Sequence, residues 1–583
     1  MAKVNIKINN IPIQVEEGVS ILEAARTVGI KIPTLCYLKG ITKSGACRVC
    51  LVEVKNAKAL AASCVYPVYE GLEVYTHSKK AIEGRRNSVE LIMSNHNKNC
   101  LSCVRNQNCE LQTLCQELGV RDNKYDGEYT PSTYDEVAPG IVRDTSKCVL
   151  CGRCIDTCKK VQGLGILGFE NRGFKTIVGP VFNSSFADVN CMQCGQCIIN
   201  CPVGALSEKE NIHDVVNALN DPTKHVVVQT APAVRASLAE EFGYPIGTRI
   251  TGKMVAGLKR VGFDKVYDTN FGADLTIMEE GTEFIQRFTN GGTLPLITSC
   301  SPGWVKYLEY EYPDLIPNVS SCKSPHMMLG AILKSYYAQR NNIDPKDIYV
   351  VSIMPCTAKK AEAVKPENVK NGVQDVDAVL TTRECGRLLK LYGIDLNDLE
   401  DEQFDQDLFG EYSGAAVIFG VTGGVMEAAL RTVKEVLEKK PLEDVNFEVV
   451  RGMKGVKEAT LDVAGHKVNI AVTSSMTYAK PLLDEIREGK SKYHFIEIMG
   501  CPGGCVNGGG QSLVSARLKN DNVDYKTLRA NALYEEDIIM ENRKSHENKQ
   551  IQELYKNFLG EPGSKIAHEL LHTTYNQKQK FKF

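Results

Sequence analysis

Two cysteine runs constrain the fold of this chain more than any other feature of its sequence. "CVLCGRCIDTC" begins at Cys148 and "CMQCGQCIINC" at Cys191, and both have the spacing C-x2-C-x2-C-x3-C. The chain is 583 residues long, and its first residues, "MAKVNIKINN", show no secretory signal. In such a chain, closely spaced cysteines are typical of metal ligands rather than of disulfides. The sequence therefore predicts metal centres built from thiolates.

The two runs resemble those of the bacterial two-cluster ferredoxins, in which the fourth cysteine of each run binds the cluster of the other run. Pro202 follows the second run, as in that pattern. The resemblance implies two 4Fe-4S clusters, one held by Cys148, Cys151, Cys154 and Cys201, and the other by Cys191, Cys194, Cys197 and Cys158. Structural zinc is the alternative, and the duplicated spacing argues against it.

The first 80 residues predict a small α+β unit that carries a further cluster. "VNIKINNIPIQV" alternates around Asn9 and Asn10, which indicates a hairpin, and Ser20 can cap the helix-like segment that follows. Four cysteines come next with the spacing C-x10-C-x2-C-x13-C, namely Cys36, Cys47, Cys50 and Cys64. They resemble the ligands of 2Fe-2S ferredoxins with a β-grasp fold, although the first gap is longer than in the plant-type family. A zinc site is the alternative.

A fourth ligand group lies in "HNKNCLSCVRNQNC". Its spacing is H-x3-C-x2-C-x5-C, and its members are His96, Cys100, Cys103 and Cys109. Taken alone, these ligands suit zinc as well as a 4Fe-4S cluster. The neighbouring clusters favour 4Fe-4S, and a neutral imidazole ligand in place of a thiolate should raise the potential of that cluster.

Composition and charge exclude some classes of partner. The chain is 43% hydrophobic and 24% charged, and its formal net charge of -2 provides no basic surface for nucleic acid or an anionic membrane. No apolar run approaches the roughly 18 to 20 residues needed to cross a bilayer. We therefore expect a cytoplasmic protein that binds neither nucleic acid nor membranes.

The pattern changes to an α/β alternation from about residue 211. "KHVVVQTAPAV" and "IYVVSIMPC" are strand-like, whereas "GTEFIQRFTN" and "GAILKSYYAQR" are helical. The sequence thus predicts a multidomain α/β protein with four domains: a 2Fe-2S ferredoxin-like domain over 1–80, a His/Cys cluster domain over 81–125, a two-cluster ferredoxin-like domain over 126–210 and a large α/β domain over 211–583.

Isolated cysteines mark three segments of the large domain. Cys300 lies in "TSCSPGW", Cys356 in "MPCTAKKAE", and Cys501 with Cys505 in "EIMGCPGGCVNGGG". A metal site in this domain must therefore be assembled from three distant loops. The segments resemble the FeFe hydrogenases, whose signatures are TSCCPxW, MPCxxKxxE and ExMxCxxGCxxG, and the second and third are matched throughout. With the upstream cluster order, the resemblance covers essentially the whole chain.

The resemblance implies an H-cluster, a 4Fe-4S cube joined through one cysteine sulfur to a two-iron unit that carries CO, cyanide and an azadithiolate bridge. Cys356, Cys501 and Cys505 would hold the cube, and Cys505 would be the bridging ligand. Lys359 would donate a charge-assisted hydrogen bond to an iron-bound cyanide. The residues implied to form an apolar wall around the two-iron unit are Pro232, Met354 and Met499.

The segment "TSCSPGW" departs from the family pattern. A strict alignment puts Cys300 in the position of the proton donor and Ser301 in the position of a cube ligand. A serine alkoxide is a strongly basic, poor ligand beside thiolates. We therefore predict that Cys300 shifts to ligate the cube and that Ser301 serves the proton relay. An oxygen-ligated cube is the alternative.

Protons would reach a buried site along one face of a helix. "MEEGTEFIQR" places Glu280, Glu283 and Arg287 at i, i+3 and i+7. Such a stripe is commonly solvated surface, but similarity to the hydrogenase relay favours a proton route, with Ser320 between the acids.

Three cysteines and one glycine cluster match no ligand position. We interpret Cys115, Cys322 and Cys385 as ordinary buried thiols. "FGVTGGV" lacks a nucleotide-binding fingerprint, so we interpret it as a packing feature.

The resemblance implies an enzyme that interconverts H2 with protons and electrons, supplied by one 2Fe-2S and three 4Fe-4S relay clusters. "TSCSPGW" and "MGCPGGC" look more like catalytic subunits of NAD(P)-linked, electron-bifurcating hydrogenases than like stand-alone enzymes. We therefore expect a hetero-oligomer with a flavin-bearing partner, and a monomer served by ferredoxin is the alternative. A hydrogen sensor or a non-catalytic electron-transfer subunit is the alternative of another class, and Lys359 argues against the latter.

Overall fold

The N-terminal part of the chain is a five-stranded sheet with one short helix. The computed structural model describes residues 2–122, 124–370, 372–453 and 455–581. In spatial order the strands are Ile11–Glu16, Lys3–Ile8, Glu73–Tyr75, Leu51–Val54 and Ala61–Ala62. Asn9 and Asn10 both have positive φ, which suits the tight turn of a twisted hairpin. Ser20 accepts from the Glu23 amide at 3.3 Å and so begins the helix Ile21–Thr27, as predicted.

Two helices, Lys79–Ser94 and Glu110–Glu117, carry the next region and share one apolar core with the region that follows. The Glu110 amide donates to the Pro202 carbonyl at 3.0 Å, and the Arg105 guanidinium donates to the Cys201 carbonyl at 3.1 Å. These bonds fix the His/Cys segment directly against the second cysteine run.

The region of the two cysteine runs is built from short elements. A three-stranded sheet has the order Leu206–Ser207, Val142–Asp144, Tyr134–Asp135, and the strands Gly168–Glu170 and Ile177–Gly179 form a separate hairpin. Each run turns into a short helix, Arg153–Asp156 or Gln196–Asn200, after a glycine in the left-handed region. The sequence repeat is thus also a structural repeat.

Two four-stranded sheets organise the large region. The first is fully parallel, in the order Lys265–Asp268, His225–Thr230, Ile348–Met354, Ala378–Thr381. The second has the order Leu296–Ile297, Phe495–Met499, His466–Ser474, Val456–Val463, and only its last strand is antiparallel. A two-stranded hairpin, Val369–Lys370 with Val373–Gln374, lies outside both sheets.

Helices cover the two sheets, as expected for parallel strands. The α-helices of this region are Ile212–Leu219, Thr251–Val261, Thr269–Asn290, Pro302–Glu311, Pro325–Ile332, Ala338–Asn341, Ala358–Ala363, Thr382–Leu391, Gly414–Val417, Gly424–Glu438, Met476–Arg487, Ala516–Asn520, Tyr525–Ile539, Lys549–Leu554 and Lys565–Leu571. The helix Thr269–Asn290, hereafter the long helix, places Phe271 and Leu275 in the core of the first sheet and Ile277 and Phe284 in the core of the second. It therefore lies between the two cores.

The two sheets direct the ends of their strands toward one space. The loops that follow His225–Thr230 and Ile348–Met354 in the first sheet, and Leu296–Ile297 and Phe495–Met499 in the second, all line the same cavity. Ligand sites of α/β proteins form at the carboxyl ends of parallel strands for this reason. Among the described residues, no helix combines the length and the apolar character needed to cross a membrane.

Candidate active site and its cluster relay

The cavity between the two sheets collects the isolated cysteines. Cys300, Cys356 and Cys501 each follow directly after a strand, and Cys505 comes one turn later; all four line the cavity. Burial raises the pKa of Cys501 and Cys505, and the thiols lie close enough that the charge of Cys356 adds to both rises and that of Cys505 adds to the rise at Cys501. Buried thiols in close proximity suit a metal cluster, because iron takes the place of their protons.

The walls of the cavity fit a bulky inorganic group. Gly504 has φ 91°, and a Cβ atom there would meet the Thr422 amide nitrogen at 2.5 Å. A Cβ atom on Gly508 would lie 2.0 Å from the Pro355 carbonyl oxygen. Only glycine permits these approaches, which bring the backbone against the cavity. The other walls are largely apolar and include the three predicted residues Pro232, Met354 and Met499.

Lys359 enters the cavity as a paired cation. Its ammonium donates to the Cys300 carbonyl at 3.1 Å and to Glu362 at 2.8 Å. His326 is bonded to the same Glu362 oxygen at 2.8 Å. Burial opposes ionisation of Glu362, but Lys359 and His326 together lower its pKa to about 2. The glutamate of the MPCxxKxxE signature therefore holds the lysine in position.

The Cys300 thiol faces the proton side of the cavity. Burial raises its pKa well above the usual range, and the largest charge contributions come from Glu280, Glu497 and Cys505. Cys356 and Cys501 are not among these largest contributions. The charges of Glu280 and of Cys505, one of the other cavity cysteines, therefore both act on the Cys300 thiol.

Ser301 occupies the other side of the same loop. It precedes the helix Pro302–Glu311, and its hydroxyl accepts a hydrogen bond from the Gly500 amide at 3.0 Å. Gly500 is the residue before Cys501, so the Ser301 oxygen lies next to a predicted cube ligand.

Glu280 is buried without a full set of hydrogen bonds. One carboxylate oxygen accepts weakly from the Ser299 amide at 3.4 Å, and the other has no partner among the described residues. Burial raises the pKa of Glu280 to about 7, the charge of Glu283 adds to the rise, and hydrogen bonding by Ser320 opposes it. A carboxyl group with such a pKa can both accept and release protons near neutral pH.

Glu283 lies one turn further along the long helix and accepts hydrogen bonds from several donors. It accepts from the Arg287 guanidinium at 2.5 Å and from the Ser320 hydroxyl at 3.2 Å. The amide and hydroxyl of Ser321 donate at 3.0 and 3.2 Å. Ser320 and Arg287 are thus both hydrogen-bonded to Glu283, and Ser320 also acts on the pKa of Glu280. The role of these four residues in proton transfer stays a prediction.

The cluster ligands predicted across the two runs also come together. Cys148, Cys151, Cys154 and Cys201 line one cavity, and the Leu150 amide points to the Cys148 sulfur at 3.4 Å. In the second group the Gln193 and Ile166 amides reach the sulfurs of Cys191 and Cys158 at 3.4 and 3.3 Å. Amide hydrogen bonds to sulfur are a regular feature of protein-bound iron–sulfur clusters.

The second group touches the active site through two glycines. A Cβ atom on Gly509 would lie 2.2 Å from the Cys194 carbonyl oxygen, and one on Gly195 would lie 2.9 Å from the Gly509 Cα. The charge of Cys501 contributes to the raised pKa of Cys194, after burial. The second cysteine run therefore lies directly against the loop that carries Cys501 and Cys505.

The cysteines of the first outer group lie close together, and the second outer group contains an unpaired imidazole nitrogen. The Cys36 amide donates to the Cys47 sulfur at 3.4 Å, and the Cys64 side chain lies close enough to Cys36 and Cys50 to shift the pKa of each. In the other group, the Nδ1 atom of His96 is buried without a partner among the described residues. A buried ring nitrogen without a partner fits a metal ligand, because its lone pair would otherwise remain unsatisfied.

Arg153 joins three of these groups. Its guanidinium, 1% exposed, donates to Glu110 at 2.8 Å and to the Tyr37 carbonyl at 3.1 Å. Tyr37 follows Cys36, Glu110 follows Cys109, and Arg153 itself precedes Cys154. One side chain therefore connects the 2Fe-2S region, the His/Cys region and the first cysteine run.

The remaining thiols and the glycine cluster have distinct surroundings. Cys385 is buried in the core of the first sheet as predicted, whereas Cys115 is only half-buried. Cys322 is buried, but its sulfur lies 3.8 Å from Glu283, which the sequence did not indicate. In "FGVTGGV", a Cβ atom on Gly424 would lie 1.7 Å from the Ile418 carbonyl oxygen, so this glycine serves close packing.

Glu497 explains the acidic position of the ExMxCxxGCxxG signature. Its two oxygens accept from the Gly423 and Met426 amides at 2.6 and 2.7 Å, at the start of the helix Gly424–Glu438. The carboxylate thus occupies the helix N-terminus where a phosphate could otherwise bind.

Sequence reasoning missed three residues near Glu283, namely His572, Glu279 and Tyr555. Glu279 is hydrogen-bonded to each of the other two. His572 lies 293 residues from Glu279 in the chain, so no local pattern could have joined them. "LLHTTY" at residues 570–575 was the only available signal, and it carries no spacing rule of its own.

Family models match five parts of the chain. Three of them are described as the 2Fe-2S iron-sulfur cluster binding domain over 1–79, the NADH-ubiquinone oxidoreductase-G iron-sulfur binding region over 85–124 and the 4Fe-4S dicluster domain over 147–205. The other two are the C-terminal domain of the iron only hydrogenase large subunit, over 224–509, and the iron hydrogenase small subunit, over 523–578.

Whole proteins are similar as well. The chain is 47% identical to the NADP-reducing hydrogenase subunit HndD of Solidesulfovibrio fructosivorans, over 100% of both chains. It is 42% identical to iron hydrogenase 1 of Clostridium pasteurianum, over 98% of this chain and 100% of the relative. A solved structure of a variant of the [FeFe]-hydrogenase HydA1 from Chlamydomonas reinhardtii matches 62% of this chain and 98% of its own, with a TM-score of 0.55 and 42% identity.

Proposed function

The chain belongs to the iron-only (FeFe) hydrogenases, and we propose that it interconverts H2 with protons and electrons as the catalytic subunit of a larger complex. The observation that carries this proposal is the convergence of the Cys300, Cys356 and Cys501 loops, with Cys505, on one cavity at the ends of two parallel sheets. The H-cluster, when bound there, supplies the redox chemistry of hydrogen.

Within the cavity, we assign Cys356, Cys501 and Cys505 as cube ligands. Their buried thiols and the glycine-lined walls support this assignment. Lys359 brings a fixed positive charge, held by Glu362, to the polar edge of a largely apolar wall. Such a cation suits an anionic cyanide ligand, while Pro232, Met354 and Met499 restrict the access of water.

The surroundings of Cys300 support a different assignment from the one that the sequence favoured. The charge of Glu280 acts on its thiol, which suits a group that passes protons. The Ser301 oxygen lies beside Gly500, next to a cube ligand. We therefore propose Cys300 as the proton donor and the Ser301 oxygen as the fourth ligand of the cube, in line with the strict alignment.

Protons then move past Arg287 and along Glu283, Ser320, Glu280 and Cys300. Hydrogen bonds join Arg287 and Ser320 to Glu283, and the raised pKa of Glu280, near 7, matches both directions of the reaction. Electrons enter at the opposite side, through one 2Fe-2S and three 4Fe-4S clusters in the domains 1–80, 81–125 and 126–210, and are used in the domain 211–583.

The proposal includes a partner. Similarity over the full length to a subunit named as NADP-reducing supports a hetero-oligomer, with a flavin-bearing NAD(P)-linked subunit as the electron partner in the cytoplasm. A monomer served directly by ferredoxin is the second candidate, supported by the similarity to iron hydrogenase 1. Native mass measurement separates them. A particle of only the 64.3 kDa chain, active with ferredoxin and without a flavoprotein, would exclude the complex.

The enzyme itself is tested on protein matured with its two-iron unit. We expect about 20 iron atoms per chain, infrared bands from CO and cyanide, and H2 evolution with a reduced one-electron dye. Infrared bands without either H2 evolution or uptake would favour a hydrogen sensor instead. Absence of the bands would remove the H-cluster from the proposal.

A further inference from the structure

We propose that the proton route divides at Glu283, and that a second arm leads through Ser321 to His572 near the C-terminus. The inference rests on the proposed function, since it adds an entrance to the relay already assigned. It concerns positioning residues that exchange protons with Glu283 and do not touch the cofactor.

The first step of this arm is a pair of short contacts around one hydroxyl. The Ser321 oxygen lies 3.2 Å from Glu283 Oε2 and 2.7 Å from His572 Nδ1. A hydroxyl can donate to one neighbour while it accepts from the other. Ser321 can therefore pass a proton between the imidazole and the carboxylate without becoming charged at the end of the transfer.

Glu279 determines which ring nitrogen of His572 is free. Glu279 is buried and accepts from the Tyr555 hydroxyl at 2.5 Å and from the Gly563 amide at 2.9 Å. Its other contact is His572 Nε2 at 2.9 Å. A carboxylate at Nε2 fixes a hydrogen atom there, so the lone pair of Nδ1 faces Ser321.

The transfer leaves no net charge on the arm. Nδ1 of His572 binds one proton from solvent, and both ring N–H groups are then paired, one with Glu279 and one with Ser321. The imidazolium releases the Nδ1 proton to Ser321, whose own hydroxyl proton moves to Glu283. The imidazole and the hydroxyl return to their neutral forms, and one proton has moved inward.

The backbone holds His572 in this position. The Lys323 and Thr573 amides donate to the Leu571 and Ser321 carbonyls, both at 2.8 Å, so the two segments are paired on each side of the imidazole. The Glu283 carboxylate, the Cys322 thiol and a ring nitrogen of His572 lie within 4.8 Å of one another. The arm is therefore part of a rigid assembly and not a chance surface contact.

The two proton entrances differ in whether the side chains at their outer ends can bind and release protons. Arg287 restricts the first without closing it, since its guanidinium binds Glu283 and the carbonyls of Pro317 and Val319. A guanidinium does not release its proton in proteins, so it can only steer protons that pass beside it. Two imidazoles lie at the second entrance. The exposed His568 ring stacks on the His572 ring, with 4.0 Å between the ring centroids. Imidazoles take up and release protons near neutral pH.

The pH dependence of the second arm depends on the charged and titratable groups around His572. They are Glu279, Glu283 and Arg287 from the long helix, Cys322 from the facing loop, Tyr555 and Tyr575 from the C-terminal segments, and His568 from its own helix. The loss of H2 evolution that follows removal of this arm should grow as pH rises, because fewer protons then reach Glu283 past Arg287.

The test compares His572→Gln and Ser321→Ala with the double variant and with His546→Gln, a matched change at a histidine bonded to Thr432 and Glu435. We expect each single variant to lower H2 evolution about tenfold above pH 7, less than the loss of a sole acid or base, because the Arg287 side stays open. The double variant should lose no more than either single one, since both act in the same arm. His546→Gln should match the wild type.

Two further measurements exclude a merely structural effect. Added imidazole should restore turnover of His572→Ala but not of Ser321→Ala, and the cyanide and CO bands of all variants should match those of the wild type. The carboxylic-acid infrared band that titrates with Glu283, identified by its loss in Glu283→Gln, should shift in His572→Gln.

Each contrary result has one meaning. Unchanged turnover and an unchanged carboxylic band in both single variants, or additive losses in the double variant, would overturn the fork and leave the hydrogenase assignment intact. Losses that imidazole does not restore, together with altered CO bands, would also overturn it as a structural effect. Wild-type turnover in Glu283→Gln would instead remove the relay on which the fork depends.

Discussion

The side chains of Cys300 and Ser301 differ in one atom, sulfur or oxygen, and we propose different roles for them. The two residues are adjacent, yet the Ser301 hydroxyl is hydrogen-bonded to the Gly500 amide, whereas the charge of the buried Glu280 acts on the Cys300 thiol. An oxygen ligand is harder than a thiolate and binds iron of the cube less well. The assignment of ligand and proton donor therefore has opposite consequences for two small substitutions.

We expect Ser301→Ala to disturb the cube, because the fourth ligand is lost. Cys300→Ala should leave the cube intact and lower turnover by at least about 100-fold, because the proton donor is lost. Electron paramagnetic resonance of the cubane, measured with H2 evolution on the same samples, distinguishes the two. An intact cubane signal in Ser301→Ala with a lost one in Cys300→Ala would reverse the roles and restore the interpretation from sequence.

Glu280 predicts a pH dependence. Burial raises its pKa from 4.5 to about 7, and the negative charge of bound clusters acts in the same direction. The protonated form therefore dominates below pH 7 and is lost as pH rises through that value. The folding free energy follows the same sign: the favourable contribution is complete below about pH 4.5 and disappears above pH 7.

The measurement is an infrared titration of the carboxylic-acid band with Glu280→Gln as reference. The wild type should show a band that fades at or above pH 7, and the variant should lack it while keeping its iron. A band that fades near pH 4 would show that Glu280 is solvated, and the relay would then need another donor.

At the scale of the element, the two cysteine runs are fixed in place by glycines. Gly195 and Gly509 let the second run and the "CPGGCVNGGG" loop approach so closely that no Cβ atom fits between them. Gly509→Ala should force these loops apart and cost roughly 1–3 kcal/mol of stability. It should also slow the transfer of electrons from the relay to the active site.

Gly168→Ala is the matched control, since a Cβ atom there meets nothing within 4 Å. Thermal unfolding and the response of the CO bands after rapid reduction of the relay check both effects. Equal behaviour of the two variants would mean that the glycine contact does not set the last transfer step.

Local elements were accessible from the sequence because their causes are local. The hairpin at Asn9 and Asn10 and the cap at Ser20 follow from patterns of a few residues, whereas the grouping of Cys201 with Cys148 was implied by the resemblance to two-cluster ferredoxins. The burial of Glu280 was not accessible, since a stripe at i, i+3 and i+7 usually faces solvent. It is buried because the long helix lies between two cores, which is a property of the whole fold.

The same reasoning explains what was missed around Glu283. Cys322 was interpreted as an ordinary buried thiol, and His572 was not considered at all. Their proximity arises only when the C-terminal segment packs against the long helix, and no periodicity in either segment encodes that contact.

At the scale of the whole molecule, Arg153 predicts how the cluster regions depend on one another. Arg153→Met would leave Glu110 without its ion pair and the Tyr37 carbonyl without a donor. We expect a loss of about 3 kcal/mol, as for breaking a buried ion pair. We also expect weaker magnetic coupling between the 2Fe-2S centre and its neighbours.

Arg86→Met provides the comparison, because the one hydrogen bond of the Arg86 side chain to the described part of the chain is long and exposed, to the Gly119 carbonyl at 3.4 Å. Melting temperature and cluster–cluster coupling in electron paramagnetic resonance are measured on both. Unchanged coupling in Arg153→Met would indicate that the outer regions hold their places without this residue.

The close approach of Gly195 and Gly509 also bears on how such a chain can change over generations. The contact lies within one polypeptide, so the last electron donor never has to find its acceptor by collision, and no affinity between them needs to be maintained. Mutations in the outer regions can then alter which partner is served without retuning that final step. Adaptation to a new electron source is thereby confined to the outer regions of the chain. The contact between Gly195 and Gly509 stays unchanged, because it leaves no room for an additional methyl group.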